Sequence, residues 1–424
     1  MAALKEVEKA KKIALQKTEE AEKAKDDAEM FRLRLEAQQL QTAEDAAKLA
    51  MEGKIEFARE KLTRLVSETV DLRILSIGSE FFYRTGDIAA ADDVLGKWLN
   101  LSGPENKTGE TAAALGNLGN VYYTRGELEK AEEMYQEALT INKELGRKEG
   151  MANNYGNLGI LYQTRGELGK AENMHEKALT INEELGRKEG MANNYGNLGL
   201  VYSTRGELAK AEEMFLKSLV IDKELDLKEG MANNYGNLGI LYQTHGELGK
   251  AENMHEKALT INKELGRKEG MANTYGNLGN VYLTRGELEK AEKMHQEALT
   301  IHKELGRKEG MADNYNNLGI VYRTRGEPEK AETMCKKSLA INEELGRKEG
   351  MADNYNNLGI VYRTCGELEK AENMHQEALA INRDLGRKEG MADNYGNLGI
   401  VYLTRGDLVK AEVMYEKSLT YYQE

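Results

Sequence analysis

One feature limits what this chain can fold into more than any other: it repeats itself every forty residues. The block that opens Met151-Ala-Asn-Asn-Tyr-Gly-Asn-Leu-Gly-Ile returns from 191, 231, 271, 311, 351 and 391, and a divergent copy begins at Thr111. No insertion breaks the period, so eight copies run from 111 to 424. Such an array needs no closed core, because each unit buries its apolar face on its neighbours. The length of 424 residues therefore does not translate into two or three globular domains.

Each copy reads as two helices. The first covers about 148–164, with Tyr155, Leu158, Gly159 and Tyr162 at i, i+3, i+4, i+7 spacing. Thr164-Arg165-Gly166 ends it: glycine supplies the left-handed residue, and arginine suits the negative helix end. The second covers about 168–185, with Leu168, Ala171, Met174, His175, Ala178, Leu179 and Leu185 as its apolar stripe. Gly186 stops it. The small residues Gly159, Ala171 and Ala178 let the two helices approach closely. Only two prolines occur, Pro104 and Pro328, so little interrupts the helices.

The pattern Tyr155-x2-Leu158-Gly159-x2-Tyr162, then Ala171-x3-His175-x2-Ala178, resembles the tetratricopeptide signature. The six extra residues around Leu185–Gly190 are similar to the longer unit of kinesin light chains and Pins-type adaptors. The resemblance implies an all-α, right-handed α-α superhelix (a TPR solenoid) that binds protein or peptide ligands.

Upstream the pattern is worn. Leu72–Asn100 keeps the offset from Gly86 to Ala91, and Ala46–Val66 keeps it from Gly53 to Ala58. Trp98 stands where the copies have the small Ala178, so 46–110 is expected to be a degenerate cap. Residues 1–45 are rich in Ala, Glu and Lys and read as a charged lead helix. Val7, Ala14, Ala21, Ala28 and Leu35 recur every seven residues, but the complementary heptad positions are mostly polar. A single solvated helix and a weak coiled-coil dimer are both open readings.

The formal net charge of −13 argues against nucleic-acid binding, which needs a basic surface. No apolar run approaches a bilayer span. Two cysteines, Cys335 and Cys365, are too few for a disulfide framework, so a cytoplasmic setting is expected. His175, His255, His295 and His375 share a position that elsewhere holds Tyr135, Phe215, Cys335 and Tyr415, which marks a packing position. No catalytic pair, metal-ligand spacing or phosphate-binding loop recurs, and neither enzymatic activity nor a cofactor is expected.

On the first helix, the stripe roughly opposite the core carries 153, 157, 160 and 164. Stacking turns one position into a ladder without exceptions: Asn117, Asn157, Asn197, Asn237, Asn277, Asn317, Asn357 and Asn397. Asparagine carries a donor and an acceptor and can bond both groups of an extended peptide. The resemblance implies that use, while capping or bridging of neighbouring helices is the alternative. Beside it Asn153, Asn193 and Asn233 give way to Asp313, Asp353 and Asp393, and Gln163 and Gln243 to Arg323 and Arg363. The expected function is a scaffold holding a partner's extended peptide in this groove. The competing reading is a spacer with contacts at its ends only. At the C-terminal end Val409 and Val413 form an i, i+4 apolar pair, from which self-association is expected. The N-terminal helix is a second candidate for homo-oligomer contacts.

Overall fold

A computed structural model describes residues 2–103 and 107–423; side chains are described for only part of the first helix. The described residues form twenty helices and no strand. They divide into two compact units, Met1–Val201 and Tyr202–Glu424.

The first unit opens with α1 (Ala2–Met51), which runs unbroken through the boundary expected near residue 45. Then come α2 (Ile55–Glu68), α3 (Leu72–Arg84) and α4 (Ile88–Ser102). Their core joins Leu62, Ile74, Leu75, Phe82, Leu95 and Trp98 to Leu118 and Val121 of α5 (Gly109–Thr124). Trp98 is thus buried where the regular copies place alanine or serine. Regular hairpins follow: α5 with α6 (Leu128–Glu144), then α7 (Lys148–Thr164) with α8 (Leu168–Glu184). α9 (Lys188–Thr204) contains the boundary between the units.

The second unit repeats this hairpin. It holds α10 (Leu208–Glu224), α11 (Lys228–Thr244), α12 (Leu248–Glu264), α13 (Lys268–Thr284) and α14 (Leu288–Glu304). These are followed by α15 (Lys308–Arg325), α16 (Pro328–Leu345), α17 (Lys348–Thr364), α18 (Leu368–Asp384), α19 (Lys388–Arg405) and α20 (Leu408–Gln423).

Each helix of α7 type ends as its residues dictate. Gly166 has φ +74, Gly166 N–H donates to the Gln163 carbonyl at 3.0 Å, and Glu167 N–H donates to Tyr162 at 2.8 Å. The left-handed residue thereby satisfies carbonyls that the helix leaves open. The second helices stop in the same way at Gly146 and Gly186; after α10 Asp226 takes that place, and among the described residues it is the one non-glycine with positive φ (53). Aspartate tolerates that conformation better than most side chains.

Close approach within a hairpin is set by Gly159. A Cβ there would lie 2.5 Å from the His175 ring, and Gly239, Gly279 and Gly359 meet His255, His295 and His375 in the same way. The four rings are fully buried, as packing residues would be.

Neighbouring copies are joined by a carboxylate that the sequence pattern did not single out. Glu132 of α6 accepts a hydrogen bond from the Tyr162 hydroxyl at 2.6 Å and pairs with Arg165. In the second unit Glu252 takes Tyr282 at 2.7 Å and Arg285 at 2.5 Å, and Glu292 takes Tyr322 at 2.7 Å and Arg325 at 2.6 Å. Arg165 stands at the C-terminal end of α7, and its guanidinium also reaches across to the preceding copy. Burial would raise the Glu252 carboxyl, but Tyr282 and Arg285 outweigh it and hold the group below its usual range. Burial and the same hydrogen bond push the Tyr322 and Tyr402 hydroxyls up to about 12.

Candidate functional site

The eight ladder asparagines are all half-buried, but their partners differ. Asn157 donates to the Asn120 side chain at 3.2 Å. Asn357 donates to Asn316 at 2.9 Å and accepts from Arg323 at 3.1 Å. Asn397 donates to Asn356 at 2.9 Å. Each bridge depends on a substitution in the preceding copy: Asn120 replaces an isoleucine position, and Asn316 and Asn356 replace glycine. Asn117, Asn197, Asn237, Asn277 and Asn317 make no side-chain hydrogen bond to the protein among the described residues. Bridging and an open amide are therefore both present, at different rungs.

Clefts lie along this face in each unit. In the first, Asn117, Asn153 and Asn157 line one of about 1070 Å³. In the second, Asn233, Asn237 and Asn277 line one of about 980 Å³, and Asp353 and Asp393 line one of about 420 Å³. Asn153, Asn193, Asn233, Asp313, Asp353 and Asp393 are all exposed.

The clefts contain a second set of residues missed from sequence. The turn arginine of five copies reaches back to the previous first helix, while Leu227 stands at that position in another. Arg187 pairs with Glu149 at 3.2 Å and donates to Asn153 at 3.3 Å; Arg267 pairs with Glu229 at 2.9 Å. Arg307 pairs with Glu269 at 2.8 Å, and Arg347 and Arg387 with Asp313 and Asp353 at 3.0 and 3.5 Å. Although exposed at the rim, the Asp353 carboxyl loses part of its water to the cleft walls, which pushes it above its usual range, and Arg387 offsets part of that. The signal was present as a recurrent Gly-Arg-Lys-Glu-Gly with an acid 34 or 38 residues before the arginine. Behind the clefts runs a buried amide row: Asn142 donates to Asn154 at 2.9 Å, Asn342 to Asn354 at 2.8 Å and Asn382 to Asn394 at 2.8 Å. Gly150 leaves room for it, since a Cβ there would lie 2.5 Å from the Asn142 amide.

The remaining sequence candidates fall elsewhere. Arg323 and Arg363 are half-buried near the ends of α15 and α17. Val409 and Val413 are 73% and 40% exposed on α20. Their counterparts 129 and 133, and 369 and 373, are also exposed, so the pair lies on the outer side of the second helix. The side that a following copy covers carries Tyr415 and Leu419, whose counterparts Tyr135 and Leu139 are buried. Among the described residues no helix is long and apolar enough to cross a membrane.

Equal helical hairpins, each closed by a glycine turn and joined by a Tyr–Glu pair that an arginine completes at most junctions and His245 or Cys365 replaces at two, define a helical-repeat protein. The family model for the tetratricopeptide repeat matches residues 110–184, 190–264, 270–344 and 350–424, and the chain belongs to that family, an all-α superhelix. No curated protein matches it in sequence. Among solved structures it is similar to a signal-transduction ATPase with a tetratricopeptide repeat sensor from Pyrococcus horikoshii. That likeness has 18% identity and a TM-score of 0.62, over 83% of this chain and 52% of the other, so the chain spans about half of that protein. It is also similar to the apo quorum sensor NprR from B. thuringiensis (15% identity, TM-score 0.61, 81% and 97% covered). Aspartyl phosphate phosphatase F from Bacillus subtilis gives 14% identity and a TM-score of 0.58, with 82% and 92% covered. At these identities the likeness establishes the fold alone.

Proposed function

We propose that the chain is a protein-binding scaffold whose first-helix groove holds an extended peptide segment of a partner. Stacked helical repeats create long binding surfaces of this kind. The observation that carries the reading is the run Asn237, Asn277, Asn317. These are half-buried amides on consecutive copies, two of them in a cleft, and they make no side-chain hydrogen bond to the protein. A donor and an acceptor on each rung match the N–H and C=O of an extended backbone, which is bound without regard to its side chains. Asn157, Asn357 and Asn397 are already engaged by neighbouring helices and contribute rigidity instead.

The test is a quantitative pull-down comparing wild type with Asn237→Ala/Asn277→Ala/Asn317→Ala. None of the three is part of the buried core, so helicity by circular dichroism stays unchanged. Loss of a partner with the variant supports groove binding and identifies the ligand. Equal retention of every partner sinks the reading and moves the contacts to the array ends, as expected of a spacer.

A further inference from the structure

Arg323 and Arg363 occupy one position on consecutive copies, where other copies carry Tyr123, Gln163, Ser203, Gln243, Leu283 and Leu403. In a chain of net charge −13, carboxylates are plentiful, and the nearby Arg325, Arg347 and Arg387 each have one. Among the described residues neither Arg323 nor Arg363 has a carboxylate within 4.0 Å. Arg323 donates to the Asn357 amide oxygen at 3.1 Å, a neutral acceptor already shared with the ladder. The Nε of Arg363 is buried and has no hydrogen-bond partner. Beside it stands His375, a buried ring rather than an acid, whose Nδ1 lies 3.1 Å from Asn356.

The two guanidinium groups also act on each other. Burial, together with the Arg363 charge, pushes Arg323 below the usual guanidinium range; Cys335 opposes this, and no carboxylate is among the groups that act on it. Partly burying two like charges without a counter-charge is costly unless something completes them. Guanidinium groups offer planar, paired N–H donors that suit carboxylate and phosphoryl oxygens. The open amides Asn277 and Asn317 precede the pair along the same face.

We propose that Arg323 and Arg363 form an anion subsite that takes one carboxylate or phosphoryl group carried by the peptide in the groove. This rests on the groove reading above. The subsite fixes which segment binds and in which register, a task that backbone-reading asparagines cannot perform.

The experiment measures fluorescence anisotropy with short, terminally blocked peptide pools. The pools are random in neutral residues, with a fixed central Asp, phosphoserine or Asn. Wild type is expected to hold the Asp or phosphoserine pool about tenfold or more tighter than the Asn pool. The tighter of the two charged pools identifies the source of the anion. The preference shrinks as salt is raised, because the site is partly open to solvent. Arg323→Gln/Arg363→Gln is expected to bind all three pools alike, at the wild-type affinity for the Asn pool. Its melting temperature is expected to stay at or above that of wild type, since two half-buried like charges are removed. A fall of several degrees assigns the arginines to holding α15 against α17 and overturns the subsite. A charge preference that survives in the glutamine variant, or is absent from wild type, also overturns it. In that case the groove reading stands so long as the triple asparagine variant weakens the Asn pool. If that variant binds every pool as wild type does, the groove reading falls and takes the subsite with it.

Discussion

A histidine ring held face-on against a helix backbone has no room for a solvation shell. Burial pushes His175, His255, His295 and His375 down to about 4. In the unfolded chain such rings protonate near 6.5. Between these values the unfolded chain takes up protons that the folded chain refuses. Stability is therefore complete above about pH 6.5 and declines as pH falls toward 4, by about 1.4 kcal/mol per pH unit for each ring. Urea midpoints measured across this window should fall steeply for wild type. The fourfold His→Phe variant, which places at each site the residue already present as Phe215, should show a much flatter profile. The packing role of these residues was legible because Tyr, Phe and Cys share the position. The partners of the ladder asparagines were not. Whether Asn357 is bridged depends on Asn316, one substitution on another helix, and spacing within a helix does not reveal what lies across a junction.

At the scale of the element, the same glycine type plays two roles three residues apart. Gly156 and Gly159 both lie inside α7. A Cβ at Gly156 meets nothing within 4 Å, whereas at Gly159 it meets a buried ring. Gly156→Ala should stabilise by about 0.5–1 kcal/mol through lost backbone entropy in the unfolded chain. Gly159→Ala should destabilise by about 1–3 kcal/mol through overpacking. Thermal melts of the two variants should shift in opposite directions, and equal shifts would contradict this account of the hairpin. Helix positions in the copies were readable to within a residue, because apolar period and glycine stops agree throughout, with Asp226 the one replacement. The second role of Arg165 was not legible within its own helix, because its partner Glu132 is thirty-three residues upstream, on a different helix. A recurrent Glu at 132, 212, 252 and 292, always thirty residues before a Tyr, was the signal that could have revealed it.

For the whole molecule, the family was legible from the repeat alone, but the division of labour along the array was not. Each copy carries its own glycine stop, its own packing ring and half of two junctions, so stability is close to a sum of copies and nearest-neighbour interfaces. Deleting residues 271–310 should therefore leave a folded protein. Tyr322 and Arg325 then meet Glu252, and Asn314 falls opposite Asn262, as Asn154 falls opposite Asn142. Deleting 271–300 instead breaks the register. Circular dichroism should give wild-type helicity per residue for the first deletion and a loss for the second. The junctions carry one further consequence. Apart from His245 and Cys365, the joints share the same Tyr, Glu and Arg, so they give one copy no address by which to recognise its own neighbour during folding. Glu252 closes as well with the Tyr and Arg of a copy forty residues too far along, or with those of another molecule. Fidelity of assembly must then come from proximity along the chain, which favours the nearest copy, and it weakens as concentration rises.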